Sequence, residues 1–182
     1  MKTLKESLLD DFGSQAKDLR KEQIKNWIEK NNDYRSNFKI NDDHTIDIDN
    51  FKYKGDGNFP DFIQFNKCKY VFYCNHANMT SLRGCPKEVG GIFDCSNNRL
   101  KTLNGGPKEV GGNFYCYENK LTSLKGSPEY IKNIFNCSHN KLKSFKDGPR
   151  YIKNILYVKQ NDLDPDELQW IRENIKYFRL FA

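Results

Sequence analysis

Six cysteines and three histidines are the residues here best suited to chemistry, and their spacing limits what they can do. Cys74, Cys95, Cys116 and Cys137 recur at intervals of 21 residues. A zinc centre needs ligand pairs close in sequence, and no C-x-x-C is present. Cysteines stacked on neighbouring parallel strands would be poorly posed for a disulfide, whose separation and dihedral are narrowly defined. They are expected to be reduced, buried packing residues. Cys68 and Cys85 lie outside that 21-residue series.

His44, His76 and His139 form no legible Ser/His/Asp or Cys/His constellation, and no phosphate-cradling glycine motif occurs. The Gly90-Gly91 and Gly111-Gly112 pairs fall where the repeat turns, so permissive backbone angles are their expected role. Asp42, Asp43, Asp47, Asp49 and Asp56 lack the spacing of a calcium loop and its closing glutamate, leaving turn chemistry. The expectation is a non-enzymatic protein with no cofactor and no metal.

What positions these residues is a repeat. Pro86–Gly106, Pro107–Ser127 and Pro128–Gly148 each read P-x-x-[V/I]-x-x-x-F-x-C-x-x-N-x-L-x-[S/T]-[L/F]. A weaker copy, Phe65–Cys85, precedes them, and a truncated one, Pro149–Leu163, follows. Numbered from the proline, column 8 holds Phe72, Phe93, Phe114, Phe135 and Leu156, and column 10 holds the four cysteines and Val158. Side chains alternate along a strand, so these two columns share the inward face. Column 13 is Asn98, Asn119, Asn140 and Asn161, and such asparagines would stack as a hydrogen-bonding ladder. One coil buries too little to offset the entropy of ordering itself, so stability must come from stacking.

The segments Phe93-x-Cys95-x-x-Asn98-x-Leu100, Phe114-x-Cys116-x-x-Asn119-x-Leu121 and Phe135-x-Cys137-x-x-Asn140-x-Leu142 resemble the leucine-rich repeat, L-x-x-L-x-L-x-x-N-x-L. The L-x-G-x-P and P-K-E-V-G-G phrasing is similar to the short repeats of bacterial effectors, and more so to repeat proteins of tailed bacteriophages. The chain departs by placing Phe-x-Cys where two aliphatic residues are usual. The resemblance covers a little over half the chain. It implies a binding scaffold whose partners dock on the sheet's concave face, and a viral or bacterial accessory role.

Columns 7, 9 and 11 alternate with the core and are expected to face outward. They carry Tyr73, Asp94, Tyr115, Tyr117 and Tyr157 among aliphatic and small polar residues, a composition suited to a protein interface. Glu118 and His139, in column 12, would stand on its rim. Columns 14, 16 and 19 gather Arg99, Lys101, Lys120, Lys125, Lys141, Lys143 and Lys146 into a lateral stripe, which offers nucleic acid as an alternative partner through sequence-blind phosphate contacts; a passive structural component that uses neither surface is the remaining alternative.

The fold class expected is an α+β repeat solenoid with a parallel sheet and caps at both ends. Residues 1–64 form an N-terminal helical and β-hairpin cap, 65–163 the repeats and 164–182 a C-terminal capping helix. In the first cap, Leu4, Leu8, Leu9 and Phe12 suggest a short helix ending at Gly13. A second helix would start at Ser14 and pack through Ala16, Leu19, Ile24, Trp27 and Ile28. Phe38–Ile40 and Thr45–Ile48 read as a hairpin, with Phe51–Tyr53 a degenerate first coil. Asp164-Pro165-Asp166-Glu167 is a helix start, followed by an apolar stripe of Leu168, Ile171, Ile175 and Phe178. With 37% hydrophobic residues, a net charge of +6, no apolar run of membrane length and no signal core, a soluble cytoplasmic protein is expected.

Overall fold

The computed structural model describes residues 4–177 and 179–182, with side chains from Phe12 onward. It is a parallel β-solenoid of about six turns with a helix at each end. Each repeat contributes two short strands. The first set is β4 (Glu88–Val89), β6 (Glu109–Val110), β8 (Tyr130–Ile131) and β10 (Tyr151–Ile152). The second is β5 (Ile92–Asp94), β7 (Phe114–Tyr115), β9 (Phe135–Asn136) and β11 (Ile155–Tyr157). Both sets grow from β3 (Phe65–Tyr73), a nine-residue strand that pairs with β4 through its first half and β5 through its second. The sheet is therefore two half-sheets sharing one strand.

The columns stack in register. Phe72 lies opposite Phe93, which is followed by Phe114 and Phe135, with ring centroids 5.8, 5.1 and 5.5 Å apart along the series. Cys74, Cys95, Cys116 and Cys137 are fully buried and free. The Sγ of Cys95, Cys116 and Cys137 each points at a carbonyl of the next coil. Burial pushes the Cys95, Cys116 and Cys137 thiols well up, and the Cys68 thiol to about 12. Cys85 packs beside Cys74 and is likewise raised, chiefly by burial.

The asparagine ladder forms as expected. Asn140 Oδ1 accepts from the Leu121 N–H, while its Nδ2 donates to the carbonyls of Cys116, Cys137 and Ser138. Asn98, Asn119 and Asn161 repeat the pattern, so each side chain ties its own coil to the one before. The residue ahead of each of these asparagines, and ahead of Ala77 in the same column, is left-handed: His76, Asn97, Glu118, His139 and Gln160 have φ between 51° and 55°. That turn costs roughly 1–2 kcal/mol per non-glycine residue, and the ladder bonds offset it. Glu118 and His139 thus hold a backbone position with their side chains exposed.

Each coil closes in a β-turn whose last N–H bonds back three residues, as from Gly106 to the Leu103 carbonyl. Gly84, Gly105 and Gly126 occupy its third position with φ of 87–97°, which only glycine adopts without strain. The Gly90-Gly91 and Gly111-Gly112 pairs have another reason than the permissive angles expected of them. None has a positive φ, but a Cβ on Gly90 would collide with the Lys69 carbonyl oxygen, and one on Gly111 with that of Gly90. Backbones of successive coils touch there.

At the N-terminus one helix, α1 (Leu4–Asn31), replaces the two expected, running unbroken through Gly13 and Ser14. A single glycine costs a helix interior only about 1 kcal/mol, too little to stop it here. Ile24 and Ile28 are buried and Trp27 stacks on Phe51, but Leu19, placed on the packed face by the sequence, is 73% exposed. The side chains of Leu4, Leu8 and Leu9 lie outside the described residues. β1 (Phe38–Ile40) pairs antiparallel with β2 (Ile46–Lys52), and β2 joins β3 in parallel. Phe51 stacks on Phe72 at 4.8 Å as the first member of column 8. Asp43 Oδ1 accepts from both the N–H and hydroxyl of Thr45, the turn role expected.

At the other end α2 (Pro165–Asn174) starts on Asp164, whose carboxylate accepts from the Glu167 N–H at 2.7 Å. Glu167 in turn accepts from the Phe145 N–H and the Ser144 hydroxyl, fastening the helix to the last full coil. The helix stops at Asn174, short of the stripe expected to reach Phe178, which lies outside the described residues. β12 (Arg179–Phe181) then pairs parallel with β11, adding a final rung. Among the described residues no helix is long and apolar enough to cross a membrane.

Candidate protein-binding face

Columns 8 and 10 point inward, so column 9 must point out, and parallel pairing at one register lines it up. The rungs read Lys52, Tyr73, Asp94, Tyr115, Asn136, Tyr157 and Phe181. Three of the expected tyrosines and Asp94 therefore share one ladder. Tyr117 stands beside it, its ring 6.3 Å from that of Tyr115 and nearly perpendicular. Column 11 needs correction at two positions. Ser96 and Ser138 are buried, whereas Asn75 and Tyr117 are partly exposed and Lys159 is exposed.

The face divides into two aromatic groups, separated by Asn136. One holds Tyr73, Tyr115 and Tyr117 around Asp94. In the other, Tyr157 stacks on Phe181, centroids 4.8 Å apart and planes 15° off parallel. Two members were not legible in the repeat. Tyr34 follows α1 and leans on Tyr73 with centroids 6.4 Å apart, and Phe181 belongs to the rung added after α2. Neither lies within a repeat copy, so column counting could not reach them.

Tyr115 is held in place. Asn113 Nδ2 donates to its hydroxyl at 2.8 Å, Asn133 donates to Asn113, and Asn154 donates to Asn133. Such a chain fixes the ring before any partner arrives, lowering the ordering cost of binding. Partial burial raises the hydroxyl pKa of Tyr73 and Tyr115, so both remain neutral donors.

Asp94 sits between the two. Its Oδ1 accepts from the Ser96 N–H at 2.9 Å and the Ser96 hydroxyl at 2.6 Å. Burial nevertheless raises its carboxyl pKa, an effect that the Ser96 bonds and nearby His76 only partly offset. No cation among the described residues lies within ion-pair distance of it.

Glu118 and His139 are exposed one column beyond the face. Arg99, Lys120 and Lys141 stack in one column, since each N–H donates to the preceding coil at Met79, Leu100 and Leu121. Lys101 and Lys143 lie two residues on. All five are exposed. A concavity of about 970 Å³ lies over the other half-sheet, walled by Phe38, Lys67, Glu88, Glu109 and Tyr130 with Gly90 and Gly111 in its floor. Among the described residues no three His, Cys, Asp or Glu side chains converge as a cation site requires. Comparison with protein-family models, curated proteins and solved structures returns no match.

Proposed function

We propose that the chain is a short leucine-rich-repeat solenoid that acts without catalysis, binding a protein partner through the outward face of β3, β5, β7, β9 and β11. The observation that carries this reading is the column-9 ladder: tyrosines partly exposed, in register and, at Tyr115, locked by an asparagine chain. Interfaces favour rigid aromatic anchors that present area at low entropic cost. The repeat phrasing, similar to that of phage and bacterial effector proteins, supports an accessory role toward a host or virion protein in the host cytoplasm.

A second reading, phosphate binding by the basic stripe, is favoured by its stacked, exposed side chains. Salt separates the two. Raising it from low to moderate abolishes a phosphate contact and leaves an aromatic interface largely intact. The decisive variant is Tyr115→Ala with Tyr117→Ala. A partner captured by the native chain is expected to bind the variant at least 100-fold more weakly, a loss of about 3 kcal/mol, with the circular dichroism spectrum unchanged. Unaltered binding by the folded variant overturns the proposal.

A further inference from the structure

The chain contains an internal control for Asp94. Asn136 occupies the same column two coils on, and its Oδ1 accepts from the Ser138 N–H at 3.0 Å, as Asp94 Oδ1 does from Ser96. The backbone bond of this turn therefore forms with a neutral amide as well, and Asp94 differs in also accepting from the Ser96 hydroxyl at 2.6 Å. Yet Asp94 places a carboxylate in a partly buried position, where the charged form is disfavoured. A carboxylate whose second oxygen makes no bond within the fold, at a position where an amide serves the same turn, is suited to meeting a charge from outside.

The surroundings define that charge. Tyr73 and Tyr115 lie one rung to either side. At about 4.8 Å per rung their attachment points are about 10 Å apart, so the two side chains flank whatever stands above Asp94. A cation held there has an aromatic ring on either side to pack against. Asp94 is also the only carboxylate among columns 7, 9 and 11 of the repeats. Both Ser96 donors go to Oδ1, which leaves Oδ2 open.

We propose that Tyr73, Asp94 and Tyr115 form a clasp for one arginine side chain of the protein partner. The planar guanidinium lies between the two rings and donates an N–H to Asp94 Oδ2. Arginine is assigned over lysine because a flat, delocalised cation stacks on both rings while keeping a donor in its plane for the carboxylate. This deepens the protein-binding reading above and rests on it.

The test uses the full chain and three capped pentapeptides, Gly-Ser-X-Ser-Gly, with X arginine, lysine or the uncharged isostere citrulline. In a nuclear magnetic resonance titration the arginine peptide is expected to shift the amides of Tyr73, Asp94 and Tyr115 saturably. Its dissociation constant should be at least 10-fold below that of citrulline and clearly below that of lysine. Asp94→Asn, which keeps the turn as Asn136 does, is expected to remain folded and erase the difference. Equal binding of arginine and citrulline, or an unaltered preference in Asp94→Asn, overturns the clasp. Tighter binding of lysine overturns the guanidinium assignment. A captured partner that Tyr115→Ala/Tyr117→Ala loses but Asp94→Asn retains overturns the clasp and leaves the interface standing. Retention by both overturns the interface as well.

Discussion

The two half-sheets share β3 and the same parallel pairing, yet present unlike surfaces. Over β5, β7, β9 and β11 the outward rungs are Tyr73, Asp94, Tyr115, Asn136 and Tyr157, with one acid and no base between Lys52 and the end of the repeats. Over β4, β6, β8 and β10 they are Lys67, Glu88, Glu109, Tyr130 and Tyr151. There the first charges neutralise one another, as in the Lys67–Glu88 pair at 2.8 Å. What lies beneath differs too. Phenylalanine rings fill the first half, whereas the second is set by Cys68, Val89, Val110 and Ile131 and by touching backbones at the glycine pairs. A ladder fixes where a side chain stands and leaves its chemistry free, so one scaffold carries two surfaces.

The largest test of this contrast is in the core. Phe114→Ala is expected to cost about 4 kcal/mol in chemical denaturation, against about 2 kcal/mol for Val110→Ala. Equal losses would break the claim that the rings make their half the more heavily packed. Gly111→Ala is expected to cost roughly 2–3 kcal/mol without removing any side chain, since its Cβ meets the Gly90 carbonyl oxygen. A neutral result there would show that the coils are free to separate.

Smaller effects come from charge. Burial raises the folded-state pKa of the Asp94 carboxyl, so its proton is held more tightly folded than unfolded. Stability from that group is fully present below the ordinary carboxyl range and lost as pH rises through the folded value. Asp94→Asn should therefore be at least as stable as the native chain at pH 7, with the gap closing in acid. A variant less stable at pH 7 would return Asp94 to a structural role. Smallest of all, Glu88→Gln breaks an exposed ion pair and should leave the midpoint of chemical denaturation essentially unchanged. It should leave partner binding untouched; a large loss of binding would move the interface to the charged half.

Much of the coil was legible because the repeat writes it several times. Phe93, Phe114 and Phe135 recur where a strand must face inward, and Asn98, Asn119 and Asn140 where a turn needs a side-chain donor and acceptor. Asp164-Pro165 announced α2 through its cap chemistry. Legibility failed outside the repeat and where one column holds unlike residues. Gly13 looked like a helix stop, yet α1 runs through it. Ser96 and Tyr117 share a column but differ in burial, which alternation along a strand does not distinguish.

By itself the sequence determined the period, the inward columns and the outward identity of Tyr73, Asp94, Tyr115 and Tyr157, since a repeated pattern with strand alternation admits one stacking. Only the tertiary structure decided that Tyr34 and Phe181 join them, that the glycine pairs serve close backbone contact, and that the tail after α2 adds a rung. The physical reason is range. Periodicity reports what each residue does within its own coil, whereas contacts between coils and caps depend on where distant segments come to rest.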